Sequence, residues 1–161
     1  MRTLLALLLM LLSLSACGNP AGVSPTPSAP QAPTSEQQEE SPTMVYAKIG
    51  SQTLTILLED NSSAKAFAAL LAQGDLTVDM ADYGGFEKVG SLGTTLPTND
   101  TRITTEPGDV ILYQGNSITI YYDTNTWNFT KLGKIQSFPQ EALKAILGQG
   151  DLSVTFSVDP D

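Results

Sequence analysis

Beyond residue 43 the chain consists mainly of short stretches in which apolar and polar residues alternate, the period of a half-buried strand. Leu54, Ile56 and Leu58 alternate with Thr53 and Thr55, and Leu76, Val78 and Met80 repeat the pattern. Gly50-Ser51 between Met44–Ile49 and Gln52–Leu58 predicts a tight hairpin. Helical spacing interrupts twice. Ala64, Phe67, Leu70 and Leu71 share one helical face, introduced by the capping run Glu59-Asp60-Asn61-Ser62 and stopped before Gly74. Leu143, Ile146 and Leu147 share another, which Ser137-Phe138-Pro139-Gln140 opens with capping-box spacing and Gly148 ends.

Tyr83-Gly84-Gly85-Phe86 is expected to turn between strands, and Gly115-Asn116 to make a second tight hairpin between Val110–Tyr113 and Ser117–Asp123. In the latter run Ile118, Ile120 and Tyr122 face one way. The Thr-rich stretch from Gly90 to Thr105, with Pro97, is expected to be an irregular loop, and Asn125 and Trp127 to lie in another. Strands then follow at Phe129–Ile135 and around Leu152, Val154 and Phe156. The segment from Ala66 to Val78 is echoed by Ala142 to Val154, offset by 76 residues, and both copies read helix, glycine stop, strand. The echo fits either pseudo-symmetry or one local solution used twice. The expected class is mainly β: a closed antiparallel barrel of about eight strands, with two short helices capping it.

The first 43 residues follow different rules. Arg2 precedes an unbroken apolar run from Leu4 to Leu12, too short for a membrane-spanning helix but suited to a signal-peptide core. It ends in Leu14-Ser15-Ala16-Cys17, which resembles the bacterial lipobox. Residues 1–16 are therefore expected to be a lipoprotein signal peptide, with Cys17 as the lipidated residue. Residues 17–43 carry prolines at 20, 25, 27, 30, 33 and 42 and no apolar period, and are expected to form a disordered Pro/Ser-rich tether. Fully extended, at about 3.1 Å per residue, it would reach roughly 80 Å. Residues 44–161 form the folded domain in this division. The expected location is extracytoplasmic, lipid-anchored to a bacterial membrane through acyl chains on Cys17.

Composition narrows the chemistry. A net charge of −9, with 8 cations against 17 anions, excludes a phosphate-binding basic surface and hence a nucleic-acid partner. Histidine is absent and cysteine occurs once, which removes Ser-His-Asp and Cys-His catalysis, ordinary zinc sites and any disulfide within the chain. Neither a metal nor a cofactor is expected. Asp79 with Asp82, and Glu106 with Asp109, lack calcium-loop spacing and are better explained as turn caps.

Several collinear segments carry a family likeness: Leu58-Glu-Asp-Asn61, Tyr83-Gly-Gly-Phe-Glu-Lys-Val-Gly90, Leu96-Pro97, Thr104-Thr-Glu-Pro-Gly-Asp109, Leu112-Tyr-Gln-Gly-Asn116 and Leu132-Gly-Lys-Ile135. From about Lys48 to Phe156 the chain resembles the bacterial cyclophilin-like domain family. That resemblance implies a small cyclophilin-type β-barrel. True cyclophilins isomerise X-Pro bonds with an arginine beside a Phe-Met-Gln strand and a groove histidine. Here Arg102 has no such strand after it and no histidine exists, so the resemblance does not carry isomerase activity with it.

The residues best suited to a ligand are Tyr83, Phe86, Tyr113, Gln114, Tyr122 and Trp127, amphipathic groups that offer apolar area with a polar tip. Arg102 could anchor a carboxylate bidentately. Convergence of Arg102, Tyr113 and Trp127 on one concave surface is the arrangement such a site would need. Glu87 and Lys88 are expected to form a surface ion pair. The function expected is a non-catalytic module binding a peptide or small molecule, and the domain is expected to be monomeric. A weak prolyl isomerase or extracytoplasmic folding helper, and an accessory structural lipoprotein, are the alternatives.

Overall fold

A computed structural model describes residues 43–148 and 150–160. The expected signal peptide, the expected lipidation site Cys17 and nearly all of the expected tether lie outside the described residues. The chain forms β1 (Met44–Ile49), β2 (Gln52–Leu58), α1 (Ser62–Leu71), β3 (Leu76–Tyr83), β4 (Glu87–Ser91), β5 (Thr101–Thr104), β6 (Asp109–Tyr113), β7 (Ser117–Tyr121), β8 (Thr126–Ile135), α2 (Gln140–Leu147) and β9 (Leu152–Ser157). The strands order as β2-β1-β9-β3-β4-β7-β6-β8-β5, and β2 also pairs with β8. Eight strands thus close an antiparallel barrel, with β5 as a ninth outside the ring. Closure removes the edges that an open sheet would leave for other chains.

The alternating positions fill the interior. Val45, Ala47, Leu54, Ile56, Val110, Leu112, Ile118, Ile120, Leu132, Val154 and Phe156 are fully buried in one core, joined by Phe67 and Leu71 of α1 and Leu143 and Leu147 of α2. Asn61 caps α1 by accepting the Ala64 amide at 2.8 Å. The capping box expected at α2 does not form. Pro139, whose side chain has no acceptor, occupies the cap position with no side-chain hydrogen bond, and Ser137 lies two residues before it with a φ of 63°. The two copies of the internal echo are hydrogen-bonded neighbours: Val78 pairs with Val154, flanked by Leu76 with Phe156 and Met80 with Leu152. Equivalent residues therefore sit around a local two-fold axis through that pair.

Two elements differ from the expectation. Thr101–Thr104, inside the presumed loop, is β5 and pairs with residues 126–129. Trp127 accordingly lies within a strand rather than a loop. The β6–β7 turn also takes three residues, with Gln114 at φ 52° and Gly115 at φ 75°.

Candidate functional site

Along β6 and β7 the pleat sends successive side chains to opposite walls of the sheet. Val110, Leu112, Ile118 and Ile120 point into the barrel, so Ile111, Tyr113, Thr119 and Tyr121 point outward. That outer wall is dry over part of its area. Ile111, Tyr121 and Phe129 form a second buried cluster, with Phe86, Ile103 and Tyr113 packed against it. The rings follow one another across the wall. Tyr83 meets Phe86 edge-on at 5.9 Å, and Phe86 stacks on Tyr121 at 6.2 Å with 19° between the planes. Tyr121 lies 5.6 Å from Phe129, which in turn lies 6.4 Å from Tyr113.

The ribbon made by β5 and the first half of β8 accounts for this burial. Register places Thr101 opposite Phe129 and Ile103 opposite Trp127, so all four share the face that meets the outer wall. Trp127 continues the Phe129 row but is 57% exposed, and Tyr83 at the other end of the rings is 60% exposed. A dry aromatic band is thus bordered by two amphipathic rings open to solvent.

Polar groups lie beneath the rings. Glu87 pairs with Tyr121 across β4 and β7 and is only 8% exposed. Its Oε2, and the Oγ1 of buried Thr119, have no hydrogen-bond partner among the described residues. No lysine or arginine among the described residues forms an ion pair with Glu87. Burial pushes its carboxyl above the usual range, and the neighbouring Tyr121 hydroxyl offsets this only in part. The Tyr121 hydroxyl sits close to Glu87, Asn125 and Thr119, and burial with the adjoining carboxylate holds it well above an ordinary phenol.

Sequence comparison adds to this geometry. The model of the cyclophilin-like family matches residues 47–157, more than two thirds of the chain. The chain belongs to the cyclophilin-like family. Its barrel is similar to the solution structure of a hypothetical protein from Archaeoglobus fulgidus, at a TM-score of 0.55 and 13% identity. That similarity covers 76% of this chain and 99% of the archaeal one, and it concerns the fold alone. No curated protein matches the sequence.

Within this cyclophilin-like barrel the expected ligand residues separate. Tyr83, Phe86, Tyr113 and Trp127 all belong to the outer wall or its border. Gln114, exposed on the adjoining turn, donates to the Tyr113 hydroxyl at 3.2 Å. Arg102 pairs with Asn128, on the face of the ribbon opposite to Phe129 and Trp127, so it does not converge with them. Tyr122 alternates with Tyr121 and points inward, 6% exposed, where its hydroxyl donates to Asp82. It belongs to the core network rather than the wall.

Glu87 and Lys88 do not pair either. They are consecutive in a strand, so Lys88 points into the barrel and is fully buried. Its ammonium donates to Asp82 Oδ1 at 2.6 Å and to the Gly150 carbonyl at 2.8 Å, over the Tyr122 ring. The acid pairs all have local partners: Asp79 accepts from Ser153, Glu106 pairs with Lys134, and Asp109 pairs with Lys131. Among the described residues no group of three or more Cys, Asp or Glu side chains is placed to hold a metal.

Sequence reasoning missed Tyr121, Phe129, Glu87 and Thr119. The alternation that turned Ile118, Ile120 and Tyr122 inward already implied that Thr119 and Tyr121 face outward. For Phe129 and Glu87 no local signal existed, because their burial comes from strands distant in sequence.

Proposed function

We propose that this cyclophilin-like domain is a non-catalytic binding module, displayed outside the cytoplasmic membrane by lipid on Cys17, that takes a peptide or small ligand on its outer aromatic wall. The observation that supports it is the continuous row from Tyr83 to Tyr113, dry at its centre and bordered by exposed Tyr83 and Trp127. Such rings provide apolar area at low entropic cost and keep polar edges for orientation. Nothing in the geometry favours the isomerase alternative: Arg102, the only arginine beyond Arg2, lies on the other face of the ribbon.

Trp127 is the only tryptophan, so its fluorescence reports on this wall alone. Titration with peptide and metabolite panels is expected to shift its emission with saturation, and Tyr83→Ala is expected to weaken that response. X-Pro peptide turnover above background, reduced by substitutions at the wall, would instead make the domain an isomerase. The anchor is tested separately. Mass spectrometry of the chain from bacterial membranes is expected to show acylated Cys17, and Cys17→Ser is expected to release the protein into the soluble fraction.

A further inference from the structure

Glu87 is a buried carboxylate with no cation beside it among the described residues. Its Oε2 has no hydrogen-bond partner among the described residues, the Tyr121 hydroxyl on β7 being the carboxylate's polar neighbour, yet the residue is only 8% exposed. The Tyr121 hydroxyl offsets the cost of burying this carboxylate only in part, and a buried hydroxyl without a partner adds to that cost. The two unpartnered atoms, Glu87 Oε2 and Thr119 Oγ1, lie on the same outer face of neighbouring strands, since Glu87 pairs with Tyr121 and Val89 with Thr119. Tyr121 lies beside both residues, and Phe86 and Phe129 pack on its ring.

A group that answers all of these features must be positive, must donate N–H bonds, and must be compact. An anion would be repelled by Glu87, and a neutral ligand would leave its charge uncompensated. Quaternary ammonium has no N–H to give. A primary ammonium carries three donors on one small centre and is attracted to aromatic faces. The net charge of −9 draws cations toward the molecule as a whole. We propose that Glu87 and Thr119 form the recognition site for a primary ammonium group, a lysine side chain or an alkylamine, on the ligand of the aromatic wall. This rests on the binding function proposed above and names the chemistry of the ligand.

The test is an NMR titration of the full chain with n-butylammonium chloride, 1-butanol and tetramethylammonium chloride at constant ionic strength. Butylammonium is expected to bind with saturation and to move the ring resonances of Phe86, Tyr121 and Phe129. A charge-assisted hydrogen bond predicts about tenfold or weaker binding for butanol and tetramethylammonium, and a similar loss in Glu87→Gln. Thr119→Val is expected to weaken butylammonium less. Circular dichroism establishes that each variant is folded; if Glu87→Gln is not, Thr119→Val and the butanol comparison decide. Equal binding of butanol and butylammonium, or butylammonium binding unchanged in a folded Glu87→Gln, overturns the ammonium site. If butylammonium does not bind while peptides or metabolites still shift Trp127, the ammonium site fails and the binding function stands. Silence from every probe overturns both.

Discussion

Asp82 and Glu87, two carboxylates on adjacent strands, are driven in opposite directions by what surrounds them. Asp82 accepts from the Lys88 ammonium and the Tyr122 hydroxyl, which hold its carboxyl below the usual range. Its stabilisation is therefore complete above the unfolded carboxylate value and is lost as pH falls through the lower folded value. Glu87 has a raised folded value, so the native state holds that proton more tightly than the unfolded chain does. Stability then declines as pH rises from the unfolded value, about 4.3, through the raised one. Glu87→Gln is expected to increase stability at neutral pH by on the order of 1 kcal/mol and to flatten this decline, read from urea midpoints across pH. Asp82→Asn leaves the buried Lys88 charge without its carboxylate and is expected to cost about 3 kcal/mol or more. A midpoint unchanged by that substitution would mean that the Gly150 carbonyl and the Tyr122 ring suffice for Lys88.

Among the elements, β8 carries two tasks in one strand. Residues 130–135 pair with β6 and β2 to complete the barrel, while residues 126–129 pair with β5 alone. Phe129 stands where the two parts meet and is 3% exposed. Phe129→Ala is expected to cost roughly 3 kcal/mol or more and to loosen the ribbon before the barrel. Hydrogen exchange is expected to show residues 101–104 losing protection ahead of β1 and β9. Uniform loss throughout the molecule would mean that the ribbon and barrel open as one unit. The sequence pattern did not reveal β5 because Thr-Arg-Ile-Thr offers one apolar residue and its strand partner lies more than twenty residues onward. Trp127 was misplaced for the same reason: its Asn/Thr surroundings have loop composition, and only pairing with Ile103 makes them a strand. α1, by contrast, was legible in its position and cap, which are local, and in Ala64, Phe67 and Leu71 of its buried face; Leu70 is only half-buried, and Ser63 and Ala68 complete the face instead.

At the scale of the whole molecule, the barrel closes at the seam between β2 and β8. Gly133 lies opposite Leu58 there, and a Cβ at Gly133 would fall 2.5 Å from the Leu57 carbonyl oxygen and 2.9 Å from Ile56 Cγ2. Backbone in a closed ring has little room to retreat, so Gly133→Ala is expected to cost about 1–3 kcal/mol and to lower the cooperative unfolding midpoint. An unaltered midpoint would mean that the seam relaxes outward without loss. By itself the sequence determined most of the barrel strands, the Gly50-Ser51 hairpin and the place of both helices, because alternation and glycine placement act locally. It also carried the family, through collinear segments along the folded region. Tertiary structure alone decided which aromatics share a wall, that Arg102 faces away from them, and that Glu87 is buried without a cation. Those outcomes depend on register between strands far apart in the chain, where a shift of one residue would turn each side chain to the other wall.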